Sequence, residues 1–184
     1  MHDDSTLARF IESFGKFDGM RAPHPVTTEF DGGTDPQYSD QRWKPALIAT
    51  YVSALKGLYA RIPGPLPPLY EQLVLTYRWL EVYLDDHLRL LGNPPGPDLL
   101  GLTQNITADP AFVNVLFPLG LVPFGKAGES YDPVCFDLAK RAGDGDCRIV
   151  RVEHESVLCD DRVGEHWVIS DPFRSLIDSH LSSR

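Results

Sequence analysis

The sequence predicts an α+β fold in which a mostly antiparallel sheet is flanked by helices, and three observations carry that expectation. Three short apolar runs, 120–124, 133–138 and 148–152, follow one another, each bounded by Gly, Asp or Pro, the residues that punctuate strands. Between the second and third lies Ala142-Gly143-Asp144-Gly145-Asp146, whose Asp-Gly pair can supply the positive φ angles of a tight hairpin turn. Elsewhere apolar residues recur every three or four positions, as on helices that bury one face. In the third run Ile149, Val150 and Val152 are β-branched and suit a half-buried pleated surface, while Arg148 and Arg151 interrupt the apolar set.

From the N-terminus, residues 5–17 place Leu7, Phe10, Ile11 and Phe14 one helical face apart, with Asp4 or Ser5 to cap the start. Residues 18–42 are rich in Gly, Pro, Asp and Thr and too poor in apolar residues for a core element. They predict a long surface loop with at most a short strand at 26–30. Pro45 opens a second helical stripe of Leu47, Ile48, Tyr51, Leu55, Leu58, Tyr59 and Ile62, broken at Pro63-Gly64-Pro65, whose wide apolar face is expected on the sheet. Pro67-Pro68 starts a third helix running to about Trp79, because proline needs no backbone N–H in the first turn.

Residues 80–84 and 88–91 read as strands around an Asp85-Asp86 turn, in preference to an extension of that helix, and 92–97 as a loop. Asp109 before Pro110 signs a helix over 111–117. Past the central strands, 155–158 reads as a short strand or turn, 160–164 as a polar loop and 166–169 as a strand. Ser170-Asp171-Pro172 then caps a closing helix striped by Phe173, Leu176, Ile177 and Leu181. The organisation expected is an N-terminal extension, 1–62, packed on the same domain as an α+β unit, 63–184.

A chain of 184 residues fits one domain, burying roughly 70% of its unfolded surface without metal or disulfide support. No apolar run approaches the ~20 residues that cross a bilayer, so no membrane association is expected. Met1-His2-Asp3-Asp4 lacks the basic start and apolar segment of a secretory leader, so a cytoplasmic location is expected. Three cysteines, Cys135, Cys147 and Cys159, form no CxxC pair and read as free thiols. The net charge of −9 is spread evenly, with 14 acidic against 9 basic residues before Gly120 and 12 against 8 from there on. That balance disfavours nucleic acid and suits a basic protein partner.

Catalytic and metal signals are weak. The cysteines stand twelve residues apart on separate elements, unlike the ligand pairs of structural zinc sites, and Cys135 and Cys147 read as small buried hydrophobes. Asp144-Gly145-Asp146 lacks the remaining ligands of a calcium loop. His154 is the one attractive base, yet Glu153 and Glu155 cannot orient its ring if all three lie along a strand, so it reads as a surface histidine. No nucleophile elbow, zincin helix, phosphate loop or dinucleotide fingerprint is present. No cofactor, metal or catalytic set is therefore expected.

The order of motifs carries a resemblance. A Pro-started helix bearing a tyrosine (Leu66-Pro67-Pro68-Leu69-Tyr70) precedes Gly120-Leu121-Val122-Pro123-Phe124-Gly125 and a Tyr-Asp-Pro-Val-Cys-Phe-Asp-Leu strand from Tyr131. An Ile-Val-x-Val-x-His-Glu segment from Ile149 and a Ser-x-x-Phe-x-x-Leu-Ile helix from Ser170 follow. The series resembles the SUKH superfamily, homologues of the fungal Smi/Knr-type cell-wall-synthesis regulators, over roughly residues 63–181. The resemblance implies an α+β fold without a catalytic set. Bacterial relatives of this type are often immunity proteins that neutralise a toxin domain, frequently a nuclease, and fungal ones are interaction hubs.

The expected function is thus a non-enzymatic protein-binding module of the immunity type, facing a basic toxin domain through Asp132, Asp144, Asp146, Glu153 and Glu155. The alternatives are a regulatory or scaffolding protein using the 18–42 loop, and, more remotely, a hydrolase using Cys135 and His154.

Overall fold

The computed structural model describes residues 2–14, 28–34 and 41–183. In chain order the elements are α1 (His2–Ser13), β1 (Asp31–Thr34), β2 (Gln41–Trp43), β3 (Ala46–Leu47), α2 (Leu55–Tyr59), α3 (Pro68–Thr76), β4 (Tyr77–Arg78), β5 (Val82–Tyr83), β6 (Leu88–Leu90) and α4 (Leu100–Ile106). They continue as α5 (Pro110–Leu116), β7 (Leu121–Ala127), β8 (Pro133–Arg141), β9 (Cys147–Val152), α6 (His154–Asp160), β10 (His166–Ser170) and α7 (Phe173–Ser182). Strands β5 to β10 form one antiparallel sheet in which each pairs with its neighbour in sequence, so the fold is of the α+β class.

The β8–β9 turn sets the centre of the sheet. Gly145 N–H donates to the Ala142 carbonyl at 3.0 Å and Ala142 N–H to the Asp146 carbonyl at 2.7 Å. Of the Asp-Gly pair only Gly145 takes a positive φ, +87°, a conformation open to glycine at no steric cost. From Arg141↔Cys147 the register shifts before Phe136↔Ile149 and Val134↔Arg151.

One face of the sheet carries the larger core. Phe124 and Phe136 stack with centroids 4.1 Å apart, and Tyr70 of α3 and Phe173 of α7 meet both edge-on. Such geometry satisfies the ring quadrupoles beyond simple burial. Helix α1 joins this core through Phe10, which meets His180 of α7, and just past its end Phe14 meets Trp79. On the other face Leu116 of α5 and Val157 of α6 cover Cys135, Val150 and Val152.

Several expectations are corrected. The stripe from Pro45 is not one helix: Ala46–Leu47 pairs with Tyr77–Arg78, and only Leu55–Tyr59 is α-helical. Ile48 N–H donates to the Thr76 carbonyl at 3.0 Å and Thr50 N–H to Leu75 at 2.7 Å, so the segment answers the open carbonyls at the end of α3 instead of bonding to itself. Tyr51 is consequently 88% exposed, and Leu47 and Val52 also face solvent, not the sheet. The first helix starts at His2, upstream of its expected caps, and the third ends at Thr76. Residues 155–158 belong to helix α6.

Of the expected 18–42 loop, 18–27 and 35–40 lie outside the described residues. Thr28–Phe30 is a 3-10 turn and Asp31–Thr34 pairs with Gln41–Trp43. Phe30 and Trp43 are buried against each other, so this stretch does supply core residues.

Candidate functional site

The site is built where β8 begins and β9 ends. Asp132 precedes β8 and His154 opens α6, and antiparallel pairing brings them together although twenty-two residues separate them. Asp132 is 5% exposed, and its carboxylate is fully engaged. Oδ1 accepts the His154 backbone N–H at 3.0 Å and faces His154 Nδ1 at 2.6 Å. Oδ2 accepts from Arg151 Nε at 2.7 Å, with Arg151 Nη2 at 2.5 Å. Burial works to raise the Asp132 pKa, but the hydrogen bonds from His154, Arg151 and Ser130 outweigh it and hold it down at about 2. The anionic carboxylate fixes the tautomer: Nδ1 carries a proton toward Asp132, and Nε2 is left for another partner.

His154 lines a cleft of about 460 Å³. Its apolar lining comes from Leu91, Ile106 of α4, Phe112 of α5, Leu158 of α6 and Pro123, Gly125 and Pro133 of the sheet. Its polar groups are Asn105, Asp109, Lys126, Tyr131 and His154. Asp109 caps α5, accepting from Ala111 N–H at 2.9 Å, and the Asn105 amide donates to the Gly92 carbonyl at 2.8 Å. Among the described residues no hydrogen bond reaches His154 Nε2, the Lys126 ammonium or the Tyr131 hydroxyl.

The arrangement has a base and the group that orients it, two of the three parts of a nucleophilic triad. No hydroxyl or thiol among the described residues bonds to Nε2. Cys135 is fully buried beneath α5 and α6, where desolvation pushes its thiol pKa well up, and no hydrogen bond joins it to His154. Burial likewise pushes Cys147 up to about 12, while Cys159 is exposed. No group of three or more potential ligands that could hold a metal ion occurs among the described residues.

A second feature is the sheet edge. Among the described residues strand β10 pairs only with β9, and Trp167, Val168 and Ile169 are 45%, 55% and 42% exposed. Side chains on both of its faces are thus partly exposed, and among the described residues no strand pairs with its outer backbone. Trp167 lies over the Arg151 guanidinium at 5.5 Å, against the same arginine that holds Asp132.

The five carboxylates expected at a contact surface do not converge. Asp132 is buried as described. Asp146 is buried too, its oxygens accepting backbone N–H groups of Cys147, Phe173 and Arg174. Neither presents charge to a partner. Glu153 is half-buried and accepts the Ser156 hydroxyl, whereas Asp144 at the hairpin and Glu155 at the start of α6 are exposed, at opposite ends of β9.

The Asp132–His154 pair is not legible from the chain neighbours of His154, which opens helix α6 and does not continue the strand before it. The usable signal was the hairpin, but its register shift hid the answer. Continued from Arg141↔Cys147, Asp132 would face Ser156; continued from Val134↔Arg151, it faces Glu153, next to His154. No described helix is long and apolar enough to cross a membrane. Comparison of the chain with family models, curated proteins and solved structures finds no match.

Proposed function

We propose that the chain is a cytoplasmic, non-enzymatic protein-binding module of the SUKH immunity type, which neutralises a basic toxin domain by pairing with it along β10. The observation that carries this reading is the edge strand β10, partly exposed on both faces and without an outer strand partner among the described residues. An edge with free backbone groups is a template for a partner strand, and native proteins normally blunt it. Here it displays three successive apolar side chains instead. Aromatic and aliphatic anchors of this kind supply most of the binding energy at interfaces.

Charge names the partner's chemistry. By register, Asp144 and Asp171 stand beyond the Ser170 end of β10, and Glu155 and Glu165 near its His166 end; all four are exposed. With a net charge of −9, they favour a basic protein surface such as that of a nuclease domain.

The test is co-expression with a basic nuclease toxin domain from the same host. Growth protection and a one-to-one complex are expected, both abolished by Val168→Arg, which puts a cation in the middle of the apolar edge without touching the core. Failure to protect, full protection by the variant, or β10 engaged only with a second copy of the chain overturns the proposal.

A further inference from the structure

We propose that the cleft bounded by α4, α5 and α6 binds a small organic carboxylate, its apolar body against Leu91, Ile106, Phe112 and Leu158 and its acidic group at Lys126 and His154. At about 460 Å³ the cleft falls within the roughly 300–1,000 Å³ of small-molecule sites, and it has their make-up of apolar walls with a few polar groups.

The polar groups point to an anion. Lys126 stands directly opposite Arg89 across the β6–β7 ladder, and like charges so placed destabilise a sheet unless something negative lies with them. Glu81 answers Arg89 at 2.9 Å, but Lys126 has no ion-pair partner among the described residues. Asp109, the one carboxylate in the lining, already serves as a helix cap. His154 is anchored by Nδ1 to Asp132, which fixes its ring in the wall of the cleft. Its Nε2 donates to a carboxylate when the ring is protonated, while the neutral ring accepts only from the un-ionised acid, so imidazole and bound acid share one proton. The exposed Tyr131 hydroxyl is a further donor at the mouth. An acidic protein thus places an unanswered ammonium and an oriented imidazole at one apolar cleft.

The experiment titrates the full chain, isotopically labelled for amide NMR, with 4-phenylbutyrate and, separately, with neutral 4-phenylbutanol. Saturable shifts centred on Gly125, Lys126, His154 and Leu158 are expected, with the carboxylate bound at least fivefold more tightly than the alcohol. Lys126→Met should weaken the carboxylate about tenfold and leave the alcohol unchanged. Leu158→Trp, at a half-exposed position that tolerates bulk, should block both. Shifts that do not saturate or lie elsewhere, equal affinity for acid and alcohol, or unchanged acid binding by Lys126→Met overturns the inference.

Discussion

Asp132 shows how one side chain ties the local structure together. A buried carboxylate is costly unless its lone pairs are satisfied, and here a backbone N–H, an imidazole and a guanidinium satisfy them. The sign of the resulting pH dependence follows from the depressed pKa. An unfolded aspartate titrates near ~3.9. With a folded value of about 2, the contribution to stability is complete above pH ~4 and is lost as pH falls from there toward 2. Asp132→Asn should therefore cost on the order of 1–2 kcal/mol at neutral pH and flatten the dependence of stability between pH 4 and 2. Urea unfolding at a series of pH values checks this; parallel curves for the two proteins would place the acid sensitivity elsewhere.

At the scale of elements, helix α7 starts by a device that no local pattern announces. Ser170 and Asp171 look like its caps, but the Ser170 hydroxyl donates to the Pro172 carbonyl at 3.0 Å and Asp171 faces solvent. The first-turn N–H groups of Phe173 and Arg174 are accepted by Asp146, twenty-seven and twenty-eight residues upstream, each at 3.2 Å. Asp146→Ala removes the acceptor of the buried Phe173 N–H and should cost about 1–2 kcal/mol, whereas Asp171→Ala should stay within about 0.5 kcal/mol of the parent. Thermal unfolding of the two variants discriminates the two caps. Local signals sufficed where bonding is local: the 142–146 turn, the Asp109 cap of α5 and the apolar runs of β7, β8 and β9. They failed where the partner is distant. The apolar stripe after Pro45 matched a helix, but the backbone found better acceptors at the end of α3. No start signal marks helix α4, although Leu99, Leu102, Thr103 and Ile106 are buried at helical spacing, because it begins from positive φ at Asp98 and Leu99 without a capping side chain.

For the whole molecule, the sheet's meander order leaves two edges, and the one at β10 combines apolar exposure with flanking acidity. These two properties act on different steps of association. Apolar and backbone contacts form after docking and govern how slowly a complex comes apart, while long-range charge governs how often encounters succeed. At low salt the field of a chain with net charge −9 reaches well beyond contact distance, and it shrinks to about 3 Å at 1 M ionic strength. Binding of a basic partner along β10 should therefore have an association rate that falls about tenfold or more between ~0.05 and ~0.5 M salt, with a dissociation rate that changes little. The double charge reversal Asp144→Lys with Glu155→Lys should slow association at low salt and converge with the parent at high salt, since both residues are exposed and neither belongs to the core. Val168→Arg should act in the opposite way, chiefly by speeding dissociation. Stopped-flow association and surface-plasmon dissociation measured on the three proteins separate these effects. If salt alters dissociation instead of association, the attraction belongs to contacts made in the bound complex, and the flanking carboxylates do not steer.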